Sequence, residues 1–139
     1  MLIKWDTPFA RHTFPSVWLN VNTNLANVHV YVEADKVWEL SFNDIVALKI
    51  CEEEFDENRR FHIERDEENL CSYMWQESEW LSEFTKEHTE DIKDGALIHY
   101  VLLGGDHNIE ILAIGGVTIN ESAYNKSLNQ TSAHNAPPG

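Results

Sequence analysis

Apolar and polar residues alternate most regularly between Val28 and Phe42, where two alternating runs are separated by a short polar turn. A period of two is typical of strands that bury one face, and two such runs in succession indicate a β-hairpin. Residues 45–51 then form an almost continuous apolar run, whose β-branched residues favour a strand buried on both faces over a helix. This stretch ends in a series of carboxylates that begins at Glu52.

The pattern predicts further strands on either side and one helix. Short strands are expected around residues 3–5, 16–21 and 73–76, and a second hairpin is expected from residues 96–103 and 108–114, ending at Gly115-Gly116. Ser78 is a typical helix N-cap residue, and Trp80, Leu81 and Phe84 follow it at the spacing of one helix face. Because hairpins argue against alternating βαβ units, the sequence predicts an α+β fold: a mostly antiparallel sheet of about six strands with one amphipathic helix packed on a face.

The length of 139 residues is typical of one domain, and such a chain can bury a core without disulfides or metals. We predict a single domain over residues 1–120 and a polar, poorly ordered tail over residues 121–139. No apolar run approaches the roughly 20 residues of a membrane span, and the N-terminal residues lack the features of a secretory signal. We therefore expect a cytoplasmic protein that does not bind a membrane.

Charge changes this picture, because the net charge of −14 is concentrated in one part of the chain. Residues 52–91 hold 15 acidic and four basic residues, a net −11, whereas the rest of the chain holds nine acids and six bases. Such a surface repels nucleic acid and anionic membranes and favours a basic protein partner. The simpler interpretation is a solvated acidic loop with core aromatics. A calcium site is disfavoured, since the spacing matches no EF-hand loop.

Partner binding through this segment would combine carboxylates that steer encounter with aromatic side chains that supply affinity. The predicted partner-binding residues are Glu52, Glu53, Glu54, Asp56, Glu57, Asp66, Glu67, Glu68, Trp75 and Trp80.

The sequence shows no established catalytic motif: it has no glycine-rich phosphate loop, no nucleophile elbow and no zinc-binding pattern. His88, Glu90 and Asp91 lie close together and suit either a metal or a solvated helix end. His29 and His99 fall within predicted strands, where they would either face each other as a general base pair or act as hydrogen-bonded sheet histidines. We predict no catalytic residue, no metal and no cofactor, and hence a protein that is not an enzyme.

Three segments between Val30 and Gly116 resemble, in their order, small acidic bacterial immunity proteins: VYVEADKVWELSFNDIVALKICEEEFD, ESEWLSEF and LIHYVLLGGDHNIEILAIGG. Genes for such proteins lie beside polymorphic or contact-dependent toxin genes. The resemblance implies a non-enzymatic inhibitor that binds a cognate toxin, often a basic nuclease, and covers its active site or a neighbouring surface. It assigns no role to individual residues. Two alternatives stay open: a small enzyme or ligand-binding domain with a pocket between sheet and helix, with His99 or His29 near a carboxylate, and an accessory or oligomerisation module.

Overall fold

The structure is a computed structural model that describes residues 2–12, 15–21, 28–52, 70–88, 96–105 and 107–122. Within these ranges the chain forms seven strands and one helix, and all the strands join one antiparallel sheet in the order β1-β5-β6-β7-β4-β3-β2. The α+β prediction is confirmed, with seven strands instead of about six. The elements are β1 Leu2–Lys4, β2 Ser16–Val21, β3 Val28–Glu33, β4 Val37–Glu52, β5 Ser72–Trp75, α1 Glu79–Glu87, β6 Leu97–Leu103 and β7 His107–Glu121.

The predicted hairpin at residues 28–42 is confirmed as β3 and the first part of β4, with Val30 opposite Leu40. The apolar run that follows belongs to the same strand, because β4 passes through two register shifts and continues to Glu52. Burial of this run on both faces is wrong: Ile45 is buried, but Ile50 is 54% exposed. The last residues of β4 extend past the apolar layers that cover its middle.

The second hairpin is also confirmed, but its returning strand is longer than predicted. The expected end at Gly115-Gly116 is wrong, because β7 continues to Glu121 and Val117 pairs with Phe42. Gly115 has a φ of +85°, in the left-handed region that glycine enters at little cost, and it forms a bulge in the ladder. Beyond β7, the N–H of Ser122 donates to the carbonyl of Val37 at 2.8 Å. Residues 123–139, most of the predicted tail, lie outside the described ranges.

One face of the sheet, which we call the inner face, carries the main core. The neighbouring strands β3, β4 and β7 share this core, since Val30 and Leu40 belong to the same buried cluster as Ile109 and Ile111. The bulges allow the long strands β4 and β7 to bend around it. Trp5 and Phe9, from the segment after β1, join the same cluster.

The opposite face, the outer face, has two parts that differ in what covers them. In the covered half, formed by β5, β6 and the adjoining parts of β4 and β7, the helix α1 packs on the strands through Trp80, Leu81 and Phe84. In the bare half, formed by β2, β3 and the other parts of β4 and β7, polar and aromatic side chains such as Tyr31 and Glu39 remain half-exposed.

The helix is confirmed at its predicted start. Ser78 is the N-cap, and its Oγ accepts a hydrogen bond from the Leu81 N–H. This bond satisfies one of the amides that a helix leaves unpaired at its first turn, which is why the chain turns helical at this serine. Within the part of the chain that the structure describes, no helix has the length and apolar character needed to cross a bilayer.

Candidate functional site

The predicted acidic surface is described only at its first residue. Glu52 ends β4, is exposed and lies opposite His107 in the register of the sheet. The other carboxylates of the prediction fall outside the described ranges: Glu53, Glu54, Asp56, Glu57, Asp66, Glu67 and Glu68. The surface therefore begins at the rim of the sheet, beside the turn between β6 and β7.

A further set of carboxylates lies on α1. Glu79, Glu83 and Glu87 follow one another at intervals of four residues, so they share one helix face, and all are exposed. These residues were counted in the acidic segment but not predicted as binding residues. Their spacing in the sequence was sufficient to place them together, because residues four positions apart are neighbours on a helix surface.

The two predicted aromatic anchors lie around His99 on the covered half. Trp75 is 5% exposed and stacks on the His99 ring, with the centroids 5.4 Å apart. Trp80 meets the same ring edge-on at 5.2 Å. The Trp80 ring is half-buried, and the ammonium of Lys49 lies 4.3 Å from its centroid in a cation–π contact. Of the two tryptophans, Trp80 is therefore the one with side-chain surface to offer a partner.

His99 is the centre of a buried polar network. Its Nε2 lies 2.8 Å from Glu110 Oε1, and its Nδ1 lies 2.6 Å from Ser78 Oγ. Ser78 and Glu110 are each 3% exposed and His99 is 1% exposed. Because a carboxylate oxygen only accepts, the Nε2–H of His99 donates to Glu110. In this tautomer of the neutral ring Nδ1 accepts the proton of Ser78 Oγ, while the same Oγ accepts from the Leu81 N–H.

A serine, a histidine and an acid in series resemble a hydrolase triad in composition, but the orientation differs. In such triads the serine bonds to Nε2 and the acid bonds to Nδ1, and the hydroxyl faces a substrate cleft. In this network the two nitrogens are exchanged, and the Ser78 hydroxyl is buried and caps a helix. The geometry is that of an anchor that fixes the start of α1 to β6 and β7.

The buried carboxylate also has a cation on the neighbouring strand. Lys49 lies directly opposite Glu110 in the register between β4 and β7. Directly opposite residues of an antiparallel pair project from the same face of the sheet. Lys49 itself is exposed and its ammonium contacts the Trp80 ring, so the buried carboxylate is held through its hydrogen bond with His99.

His29 does not face His99, so the hypothesis of a general base pair is wrong. Their strands, β3 and β6, are separated in the sheet by β4 and β7. His29 instead lies beside Glu39, with Nδ1 and Oε1 3.0 Å apart but not aligned for a hydrogen bond. The alternative, a hydrogen-bonded sheet histidine, is confirmed for His99.

The possible metal site at His88, Glu90 and Asp91 is described only at its first residue. His88 is the C-cap of α1, and the other two residues fall outside the described ranges. Among the side chains that the structure describes, no three of His, Cys, Asp or Glu are grouped in a way that would hold a metal ion.

A groove lies between α1 and the beginning of β6, beyond the end of β5. Its volume is about 680 Å³. The helix contributes Leu81 and Thr85, β5 contributes Met74 and Trp75, and β6 contributes Ile98 and His99. The structure thus has a pocket between sheet and helix with His99 in its wall and a carboxylate, Glu110, behind that histidine.

The pairing of His99 with Glu110 was not predicted, although the sequence contained a signal for it. The hairpin register places His99 opposite Leu112, so Glu110 is its diagonal neighbour on the same face. No sequence signal placed Ser78 beside His99, because its position depends on how the helix docks.

Neither the family models nor the curated proteins and solved structures that were compared with the chain gave a match.

Proposed function

We propose that this chain is a cytoplasmic immunity protein, a non-enzymatic inhibitor that binds a cognate bacterial toxin with a basic surface. The observation that carries the proposal is the concentration of charge: residues 52–91 hold a net −11 of the total −14. In the described part of this segment, Glu79, Glu83 and Glu87 are exposed on one face of α1.

A concentration of like charges lowers the stability of the free protein, and a basic partner removes this effect. Carboxylates close together repel one another and destabilise the free protein, and a basic surface that neutralises them turns this repulsion into attraction. The same field speeds the encounter between the two proteins, and it repels nucleic acid that would compete for a nuclease. These properties suit an inhibitor that must capture its toxin soon after synthesis.

Two kinds of residue contribute to toxin binding, carboxylates and an aromatic anchor. Glu52 and the carboxylates of residues 53–57 and 66–68 pair with lysine and arginine side chains of the toxin. Trp80 is the aromatic anchor, since its ring is half-buried and already held by Lys49. Aromatic residues fixed in this way lose little conformational freedom on binding, which is why they dominate many interfaces.

Charge reversal tests this placement. A variant with Glu53, Glu54, Asp56 and Glu57 all changed to Lys should bind the toxin encoded beside this gene roughly a hundredfold more weakly, because four rim charges each contribute up to about 1 kcal/mol. Isothermal titration calorimetry at fixed salt measures the affinity.

The matched control changes four exposed acids outside the segment to Lys: Asp6, Asp35, Asp44 and Glu121. It alters the net charge equally but leaves the acidic segment intact, so the affinity for the toxin should fall much less. Equal losses in both variants would mean that net charge alone matters. Unchanged affinity in the first variant would place the binding surface elsewhere.

A second candidate function is a ligand-binding domain, and the groove of about 680 Å³ between α1 and β6 favours it. Apolar residues such as Leu81 and Met74 line it beside polar ones, among them Glu77, Thr85 and Lys86, and such a mixture suits a binding site. The two functions use different surfaces, so either one can be tested while the other is left intact.

A further inference from the structure

The second half of β4 has a neighbouring strand on only one side. β3 pairs with β4 between Val37 and Ser41, whereas β7 stays paired with β4 as far as Glu52. Among the described residues, no strand pairs with the other side of β4 beyond Ser41. At a rise of about 3.3 Å per residue, the regular part of this open edge, residues 48–52, is roughly 15 Å long.

The main-chain groups of Leu48 and Ile50 point out of this open edge. The His107 carbonyl accepts a 3.1 Å hydrogen bond from the N–H of the residue that follows β6, so the main chain of His107 faces β6. Backbone groups alternate in direction along an antiparallel strand, and Glu110, three residues further on, therefore faces β4. Lys49 lies opposite Glu110 and faces it in return. Its neighbours Leu48 and Ile50 then face the open side.

No partner strand covers these groups, and no side chain shields them. Within the described ranges, neither Leu48 nor Ile50 forms a hydrogen bond on the open side. An unpaired edge is a template for another strand, and proteins often protect it with a lysine. Lys49 occupies such a position, but its ammonium lies 4.3 Å from the Trp80 ring, which contacts His99 of β6. Because β7 separates β4 from β6, Lys49 extends away from the open edge.

The side chains along the open edge offer apolar surface. Leu48 and Ile50 project from the inner face, since they lie opposite Ile111 and Ile109 of the main core. Ile109 is fully buried, but Ile50 is 54% exposed and is alone in this among the large hydrophobic side chains that the structure describes. A strand beside β4 would bring an apolar side chain directly opposite Ile50 and cover it.

The charge at the end of the open edge is negative. Glu52 lies two residues beyond Ile50, so it projects from the same inner face, and it is exposed. In the part of the chain that the structure describes, Glu52 forms no ion pair. Lys49 projects from the outer face and does not neutralise it. A partner residue directly opposite Glu52 is therefore favoured when it is basic.

We propose that the toxin binds by β-augmentation, in which an extended segment of the toxin adds to the sheet as a strand beside residues 48–52 of β4. Main-chain hydrogen bonds to Leu48 and Ile50 hold the segment in register. An apolar side chain of the segment covers Ile50, and a basic side chain meets Glu52. This inference rests on the proposed function, and it deepens that function by giving the mode of binding.

Amide hydrogen exchange tests whether the edge is open, and nuclear magnetic resonance on the full ¹⁵N-labelled chain measures it. In the free protein the N–H groups of Leu48 and Ile50 should exchange at least about a hundredfold faster than that of Lys49, which faces β7. Slow exchange at Leu48 and Ile50 would overturn the proposal. Slow exchange that appears only at high protein concentration would do the same, because a second copy of the chain would then occupy the edge.

A synthetic strand tests whether the edge accepts a partner of the stated chemistry. In antiparallel pairing, the peptide acetyl-Lys-Thr-Val-Thr-Val-amide places its lysine opposite Glu52 and its two valines opposite Ile50 and Leu48. At millimolar concentration it should shift the amide signals of Leu48 and Ile50 more than that of Lys49.

The matched control peptide carries an N-methyl group on its central valine. This group removes the N–H that would bond to Ile50 and leaves every side chain unchanged, so the shifts should be at least about fivefold smaller. Equal shifts from both peptides, or no shift at Leu48 and Ile50 with either peptide, would overturn the proposal.

Two substitutions at one position test the edge against the toxin. Ile50→Pro removes the outward N–H but no bond to β7, so the sheet should tolerate it. We expect it to weaken toxin binding at least about tenfold, whereas Ile50→Ala, which keeps the N–H, should weaken binding about threefold. Circular dichroism checks that both variants fold. Toxin affinity unchanged in both variants would overturn the proposal.

The same measurements separate the mode of binding from the proposed function. Toxin affinity that depends on the charges of residues 53–57 but not on Ile50 rejects the β4 edge and leaves the function intact. A chain that binds no toxin, while the synthetic strand still shifts Leu48 and Ile50, rejects the function and with it the toxin as the occupant of this edge.

Discussion

The outer face of the sheet contains two histidine–glutamate pairs, and they differ in almost every respect except composition. In the covered half, His99 and Glu110 are 2.8 Å apart and their side chains are 1% and 4% exposed. In the bare half, His29 and Glu39 are 3.0 Å apart but 44% and 32% exposed. The difference is what covers them: α1 with Trp80, together with Trp75 of β5, encloses the first pair, whereas the second pair is partly exposed to water.

This difference in exposure determines how much each pair contributes to the stability of the fold. A buried carboxylate that loses its partner keeps a charge that water cannot solvate, whereas an exposed one regains its hydration. The structure meets the requirement of Glu110 with a hydrogen bond from His99. The covered half is therefore a fixed platform for α1, and the bare half tolerates change.

The largest effect is expected from Glu110→Ala. It leaves the buried Nε2–H of His99 without an acceptor and should lower the free energy of unfolding by about 1–3 kcal/mol. The matched variant Glu39→Ala, in the bare half, should cost less than about 1 kcal/mol. Urea unfolding followed by circular dichroism measures both. Similar losses in the two variants would remove the energetic distinction between the halves.

A smaller effect is expected from Ser78→Ala, which removes both the N-cap of α1 and the donor to His99 Nδ1. Loss of such a cap costs about 1–2 kcal/mol. Ser82→Ala, at an exposed position one turn later, is the control and should change the unfolding free energy little. If both variants unfold at the wild-type urea concentration, Ser78 does not anchor the helix.

The smallest effect concerns Tyr100, on the inner face where β6 meets the bulge of β7. Burial raises the pKa of its hydroxyl, which donates to the Gly115 carbonyl at 3.4 Å. The folded state therefore favours neutral Tyr100. Its contribution to stability is fully present below the unfolded-state pKa of about 10 and is lost as the pH rises above it.

Urea unfolding between about pH 8 and about pH 11 tests this direction. Tyr100→Phe should lose less stability over that interval than the wild type. Tyr31→Phe, which removes a hydroxyl from the bare half, should keep the wild-type loss. An identical pH dependence in wild type and Tyr100→Phe would contradict the role of this hydroxyl.

The two halves also differ in how well the sequence predicts them. In the hairpin of the bare half, alternation alone gives the strands and the face that each residue occupies, because one side is apolar and the other polar. In the covered half, residues 97–103 are apolar with one exception, His99, so alternation does not reveal which face is which. The helix and its cap are local features and were predicted. The contact of Ser78 with His99 was not, because it arises from tertiary docking.

The length of β4 and β7 was hidden for a related reason. Gly115 and the residues near Asp44 interrupt the pattern that defines a strand, and such interruptions are typical of turns as well as of bulges. Only pairing across the sheet distinguishes the two, as it does where Val117 resumes opposite Phe42. The alternation of apolar and polar residues predicted the strands, whereas pairing between distant strands determined how far β4 and β7 extend.

The central claim is that the chain binds a basic toxin through its acidic surface. The most direct test is the rate of association with the cognate toxin that we propose, which we expect to be encoded beside this gene, measured by stopped-flow fluorescence between about 50 and about 500 mM NaCl. We predict a rate constant that falls at least about tenfold over this range, because salt screens the charges that steer encounter. An association rate that does not depend on salt, or no complex with that toxin at any salt concentration, would contradict the claim.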